Sequence, residues 1–220
     1  MPRFPARNAS AIAFGGVANP GALTESWNGT SWTEVGDLNQ ARQYLGAAGG
    51  SADLALGFGG NAPSVTANTE AWNGTSWTEV NNLGTARYAL AGAGANNTAA
   101  LGFGGYTPPG GYNGLTELWN GTNWTEVNDL NQSRRFLAAS GTSTSALAFG
   151  GNFPPSGETT LTEKWNGTSW TEINNMNTAR EKLGAAGANN TSALAFGGDP
   201  GPTATEEFTD PGIITKTLTS

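Results

Sequence analysis

The chain has 220 residues, no cysteine, no histidine and a formal charge of −7 at pH 7. Those absences remove disulfides, zinc centres and Ser-His or Cys-His catalysis, so only carboxylates, arginine, lysine, tyrosine and hydroxyls are left for chemistry and no metal or cofactor is expected. The acidic balance argues against a nucleic-acid or anionic-membrane partner, since clustered Lys and Arg drive both. The start, Met1-Pro2-Arg3-Phe4, lacks the apolar stretch of a signal peptide. No run reaches the ~20 apolar residues that a membrane helix needs, so membrane insertion is not expected.

The first β-like run, 11–14, ends in Phe14 and is stopped by Gly15 and Gly16. A second run reaches Trp27, turns at Asn28-Gly29 and leaves through Trp32; Asn-Gly between two such runs is the strongest short hairpin signal, because both residues tolerate φ > 0. Arg42 then opens a small-residue run, and the Phe-Gly-Gly ending returns at Phe58, Phe103, Phe149 and Phe196, in steps of 44, 45, 46 and 47 residues. Between these endings recurs Trp-Asn-Gly-Thr-(Ser/Asn)-Trp-Thr-Glu, beginning at Trp27, Trp72, Trp119 and Trp165. The arginine recurs at Arg87, Arg134 and Arg180. A period near 45 residues, written in short strands, indicates a repeat fold.

Within the copy spanning 42–80, strands are predicted over 44–49, 54–58, 69–72 and 77–80. Four antiparallel strands make one propeller blade. The strand nearest a propeller axis is crowded by its equivalents and should be small, and Leu45 is followed by Gly46, Ala47, Ala48 and Gly49; the tryptophans come last, where blades splay apart. The expectation is an all-β, five-bladed β-propeller of four-stranded antiparallel blades, covering 1–35, 42–80, 87–127, 134–173 and 180–218 as a single domain. Arg3 and Phe4 would supply a stunted inner strand for the first blade, and Ile213 to Lys216 the last strand of the fifth.

A glycine pair closing the second strand, an aromatic in the third, a tryptophan in the fourth and an arginine entering the next blade together resemble the kelch repeat. Blocks such as WNGTSWTEV, LNxAR and ALAFGG also resemble repeats in structural and tail-associated proteins of marine bacteriophages. The resemblance implies a virion or host-contact role, with assembly beside other virion proteins and placement on the virion or in the cytoplasm.

Asn28, Asn73, Asn120 and Asn166 match the glycosylation acceptor pattern, but the hairpin itself demands Asn-Gly. Tryptophans required identically in each blade are most simply inter-blade filler. Arg42, Arg87, Arg134 and Arg180 should lie at one end with Glu25, Glu70, Glu117, Glu163 and Glu206, either in ion pairs that fix loops or as a guanidinium ring capturing an anion. A glycosidase would need non-equivalent acids converging on the axis, whereas the acids outside the repeat, such as Asp53, Glu158, Glu181 and Asp199, fall mostly in turns or loops. The expectation is a chain that is not an enzyme.

The segments that vary between copies are 17–23, 61–68, 106–115, 152–161 and 199–204. A framework held constant while one loop set varies suits recognition by that face. The longest loops carry Tyr106, Tyr112, Asn113, Phe153 and Glu158 beside prolines, and with the four arginines these are the candidate binding residues. The partner would be a protein or a glycan. The alternative to a structural or host-recognition propeller is a lectin, with sugar bound between blades or on the loop face.

Overall fold

The computed structural model describes residues 10–17, 21–201 and 203–210. They form a five-bladed β-propeller. Blades 2, 3 and 4 are four-stranded antiparallel sheets in simple sequential order, while blades 1 and 5 each show three strands among the described residues. The proposed inner strand at Arg3-Phe4 and last strand at Ile213–216 lie outside the described residues.

Blade 2 shows how residue choice sets the sheet. Its strands are Gly46–Ala48, Ala55–Phe58, Thr69–Trp72 and Trp77–Val80. Gly46 pairs with Phe58, and a Cβ on Gly46 would collide with that ring, so the aromatic folds back over a strand that has no side chain there. The Asn-Gly turn closes as expected: Asn73 Oδ1 accepts from the N–H groups of Thr75 and Ser76 at 3.0 Å each, and Gly74 holds φ +92°. Trp72 and Trp77 face one another across the turn with ring centroids 5.5 Å apart.

The joints between blades are also repeated. Phe14, Phe58 and Phe103 each meet the fourth-strand tryptophan of the next blade, Trp77, Trp124 and Trp170, edge to face at 4.6–4.8 Å. The same indoles donate Nε1–H to Thr24, Thr69 and Thr116 Oγ1 of the preceding blade at 3.0–3.1 Å. Burial of Phe58, Phe103, Leu56, Leu101 and Trp72, Trp119 and Trp165 makes the core a series of slabs between blades rather than one central mass.

The glycine pair has a physical role at these joints. Gly60, Gly105 and Gly151 donate their N–H to the carbonyls of Arg87, Arg134 and Arg180 in the next blade, at 2.8–2.9 Å. The glycine before each lies under the same carbonyl, so that a Cβ on Gly59 would stand 2.6 Å from Arg87 O. The pair is therefore a point of backbone-to-backbone contact where no side chain fits.

The expected inner strand, 44–49, is shortened to Gly46–Ala48. Tyr44 instead takes φ +54°, and its equivalents Ala89, Phe136 and Lys182 take +56°, +55° and +54°. This left-handed turn aims each carbonyl around the axis: Ala89 N–H donates to Tyr44 O, Phe136 to Ala89 O and Lys182 to Phe136 O, all at 2.8 Å. A rim of hydrogen bonds thus links four blades, and it offsets the roughly 1–2 kcal/mol that a non-glycine residue spends in this region.

Candidate functional site

Four bridges, Gln43 with Asn61, Tyr88 with Tyr106, Arg135 with Asn152 and Glu181 with Asp199, pin the variable segments beside the starts of the inner strands. Three of those segments are not irregular loops but small hairpins: Asn61–Ala62 with Ser64–Val65, Tyr106–Thr107 with Gly111–Tyr112, and Asn152–Phe153 with Gly157–Glu158. Variable segments, rim and arginine backbones thus share one end of the propeller.

At that end stands a continuous cluster of aromatic and cationic side chains. Tyr44 lies 6.3 Å from Tyr88 and 5.3 Å from Phe136, Tyr88 lies 5.6 Å from Tyr106, and Tyr106 lies 5.5 Å from Tyr112, measured between ring centroids. The Arg135 guanidinium sits 5.2, 5.0 and 5.1 Å from the rings of Tyr106, Tyr112 and Phe136, within cation–π range of all three. Lys182 Nζ is 5.0 Å from the Phe136 ring and forms an ion pair with Glu181. That hydrogen bond to Glu181 holds the Lys182 pKa above its ordinary value, so the ammonium keeps its charge. Tyr112 donates its hydroxyl to Asn152 Oδ1 at 3.0 Å, joining the hairpins of blades 3 and 4.

Tyr44, 41% exposed, stands between two concavities. One, of 280 Å³, is the channel mouth, walled by Tyr44, Phe136, Lys182 and the leucines that begin the inner strands. The other, of 590 Å³, is a groove between the hairpins of blades 2 and 3, lined by Tyr44, Tyr88, Asn61, Pro63, Val65 and Pro108 among others. The axial channel holds 420 Å³, and its described walls are Ile12, Phe14, Ser140 and the glycines and alanines of the inner strands, with no carboxylate. Among the described residues no group of three or more Asp and Glu side chains is arranged to hold a metal ion.

The candidate residues separate into three groups. Tyr106 and Tyr112 join the cluster. Asn113 braces its own hairpin, donating Nδ2 to Thr107 Oγ1 at 2.8 Å, while Phe153 and the exposed Glu158 sit on the next hairpin, outside the ring contacts. Arg42, Arg87, Arg134 and Arg180 are at most 1% exposed and pair with Glu70, Glu117, Glu163 and Glu206. Further Nη donors go to backbone carbonyls, as Arg42 Nη1 does to Gly59 O at 3.1 Å and Asn68 O at 2.6 Å, while the Nε of each of the four is buried without a hydrogen-bond partner among the described residues. Burial lowers the pKa of Arg42, Arg87 and Arg134, and the glutamate partner opposes that shift. The geometry is that of ion pairs fixing loops, not of a guanidinium ring open to an anion.

Tyr44, Tyr88, Arg135, Phe136 and Lys182 were not among the sequence candidates. They occupy the first and second positions after each repeated arginine, where every copy differs: Gln43-Tyr44, Tyr88-Ala89, Arg135-Phe136 and Glu181-Lys182. That variation inside a constant frame was the available signal. No protein-family model matches the chain, and no curated protein matches it.

Proposed function

We propose that this chain is a non-catalytic recognition module that binds its partner on the hairpin face, with the repeated blades serving as a rigid mount. The observation that carries this reading is the cluster itself. Residues that do not repeat converge at one end of a framework that does, and they are aromatics and cations held by one another. An exposed ring beside a charged amine suits a ligand that offers an apolar face and an anionic group, such as a carboxylate-bearing glycan or an acidic protein loop. Rigid presentation lowers the ordering entropy that binding must overcome. The resemblance of the repeat to kelch blades and to bacteriophage structural proteins supports a place on a virion, where such a module would contact the host.

The test is a glycan array and a panel of acidic peptides, probed with the chain and with Tyr44→Ala and Lys182→Ala variants. Both side chains are exposed, so both variants should fold. Specific binding lost in both supports the reading. Binding that survives both, or turnover of chromogenic glycosides by the unaltered chain, refutes it. A lectin is distinguished by signal on glycans alone.

A further inference from the structure

One cation on the hairpin face lacks a counter-charge. Lys164, Lys182 and the four repeated arginines each pair with a carboxylate, whereas Arg135, the remaining base among the described residues, forms no ion pair with them. Acids are not scarce in the chain, which carries 17 of them against 10 bases. The half-buried Arg135 is held instead among the rings of Tyr106, Tyr112 and Phe136, and its Nε is buried without a hydrogen-bond partner among the described residues. With Nε enclosed, what a ligand can meet is the Nη edge. That edge matches a planar two-oxygen group such as a carboxylate.

Arg135 closes the joint between blades 3 and 4, and the equivalent joint between blades 2 and 3 is open. Tyr106 and Tyr112 face Arg135 across the first. The same hairpin positions in blade 2 are Asn61 and Val65, paired in the same way, and the residue after the repeated arginine of blade 3 is Tyr88. These shorter hairpin side chains leave the groove of 590 Å³, whose walls carry no charged residue. The Asn61 and Ser64 side chains and the Tyr44 and Tyr88 hydroxyls, unlike that of Tyr112, make no hydrogen bond among the described residues. Arg135 stands one ring away from each tyrosine of the groove, through Phe136 from Tyr44 and through Tyr106 from Tyr88.

We propose that the hairpin face binds an acidic oligosaccharide, with a sugar carboxylate on the Nη edge of Arg135 and a neutral sugar ring in the groove between the hairpins of blades 2 and 3. This rests on the recognition reading given above and narrows it to one ligand class. A hydroxyl-rich ligand satisfies the unused amide and hydroxyl groups of the groove, whereas an apolar segment would cover them and leave them unpaired. The Tyr44 and Tyr88 rings supply flat apolar surface for the C–H face of a sugar. Tyr44 to Phe136 and Phe136 to Arg135 are steps of 5.3 and 5.1 Å, a span that two linked sugar rings cross. A protein interface covers about 800 Å² on each partner. Here the rings and polar groups converge instead on concavities of 280 and 590 Å³.

The probes are sialyllactose and an aldobiouronic acid, glucuronate linked to galactose, titrated into the full chain by calorimetry beside their methyl esters. At least one acid should bind one to one. Esterification of its carboxylate, or Arg135→Gln, should weaken that binding at least about tenfold. Arg135→Lys keeps the charge without the fork and should fall between. Val65→Tyr places in blade 2 the residue that Tyr112 is in blade 3, so it should fill the groove and reduce the aldobiouronic acid to the affinity of free glucuronate. Thermal midpoints confirm that the variants fold, and the ester comparison needs no variant. Equal binding of acid and ester, undiminished binding by Arg135→Gln or by Val65→Tyr, or no binding of either acid at millimolar concentration overturns the proposal. In that last case, acidic peptides whose binding is lost in Tyr44→Ala and Lys182→Ala would leave the recognition reading standing and remove only the sugar. No binding of sugars or peptides removes both.

Discussion

At the scale of the residue, the repeated Arg–Glu pair is the most consequential feature. Glu117 accepts from Arg87 at 3.0 Å through Oε1 and from the Gly84 N–H at 2.7 Å through Oε2, tying the loop before the blade to its third strand. Removing one member leaves a buried charge without its partner, so Glu117→Ala should cost about 3–5 kcal/mol. The exposed Glu34→Ala should stay within about 0.5 kcal/mol, and urea unfolding midpoints of the two variants compare them directly. Ala89, at φ +56°, makes an opposite prediction. Glycine relieves the left-handed strain there, so Ala89→Gly should raise stability by up to about 1 kcal/mol, whereas Ala93→Gly, in the strand that follows, should lower it by about 0.5–1 kcal/mol. Equal losses in both would remove the strain argument.

At the scale of the element, blades are joined by backbone as much as by side chains. The Gly-Gly pair carries one N–H to the next blade and leaves no room beside it: a Cβ on Gly104 would stand 2.7 Å from Arg134 O and 2.9 Å from Leu137 Cδ2. Gly104 also has φ +68°. Gly104→Ala combines overpacking of about 1–3 kcal/mol with about 1 kcal/mol of backbone strain, so a loss of about 2–4 kcal/mol is expected in thermal or denaturant unfolding. The hairpin pairs add a further constraint, since the fourth-strand indoles of blades 2, 3 and 4 must each reach a threonine hydroxyl one blade back. Two recurring features of the sequence, glycine pairs and tryptophans, therefore serve the same joints.

At the scale of the whole molecule, a repeat protein derives its stability from neighbouring interfaces, and interior units have two of them. Blades 3 and 4 should exchange their amides most slowly, in Ala91–Asn96 and Ala138–Thr142. Ser192–Phe196, where Leu194 and Phe196 are 37% and 43% exposed, should exchange fastest among the long strands. Hydrogen-exchange mass spectrometry resolves these segments, and equal protection of Ser192–Phe196 and Ala91–Asn96 would contradict this ranking. The hairpin face depends on this same rigidity, because the cluster around Arg135 draws on hairpins and rim residues from four blades.

Much of this architecture was legible in the order of residues. The period of Phe-Gly-Gly fixes the blade count, Asn-Gly fixes the hairpins, and the run of Gly and Ala after Leu45 marks the axial strand, all because these demands are local and recur in every copy. The binding face was legible only in part. Tyr106 and Tyr112 stood out as aromatics on long segments, but Tyr44, Tyr88, Arg135, Phe136 and Lys182 come together through a left-handed residue that no local pattern announces. That conformation exists because each blade's carbonyl must meet the N–H of the next across the rim, a condition set by neighbours about 45 residues away. The sequence by itself determined the blades; the tertiary structure decided what their ends present, because only the closing together of several blades brings non-repeating side chains within contact of one another.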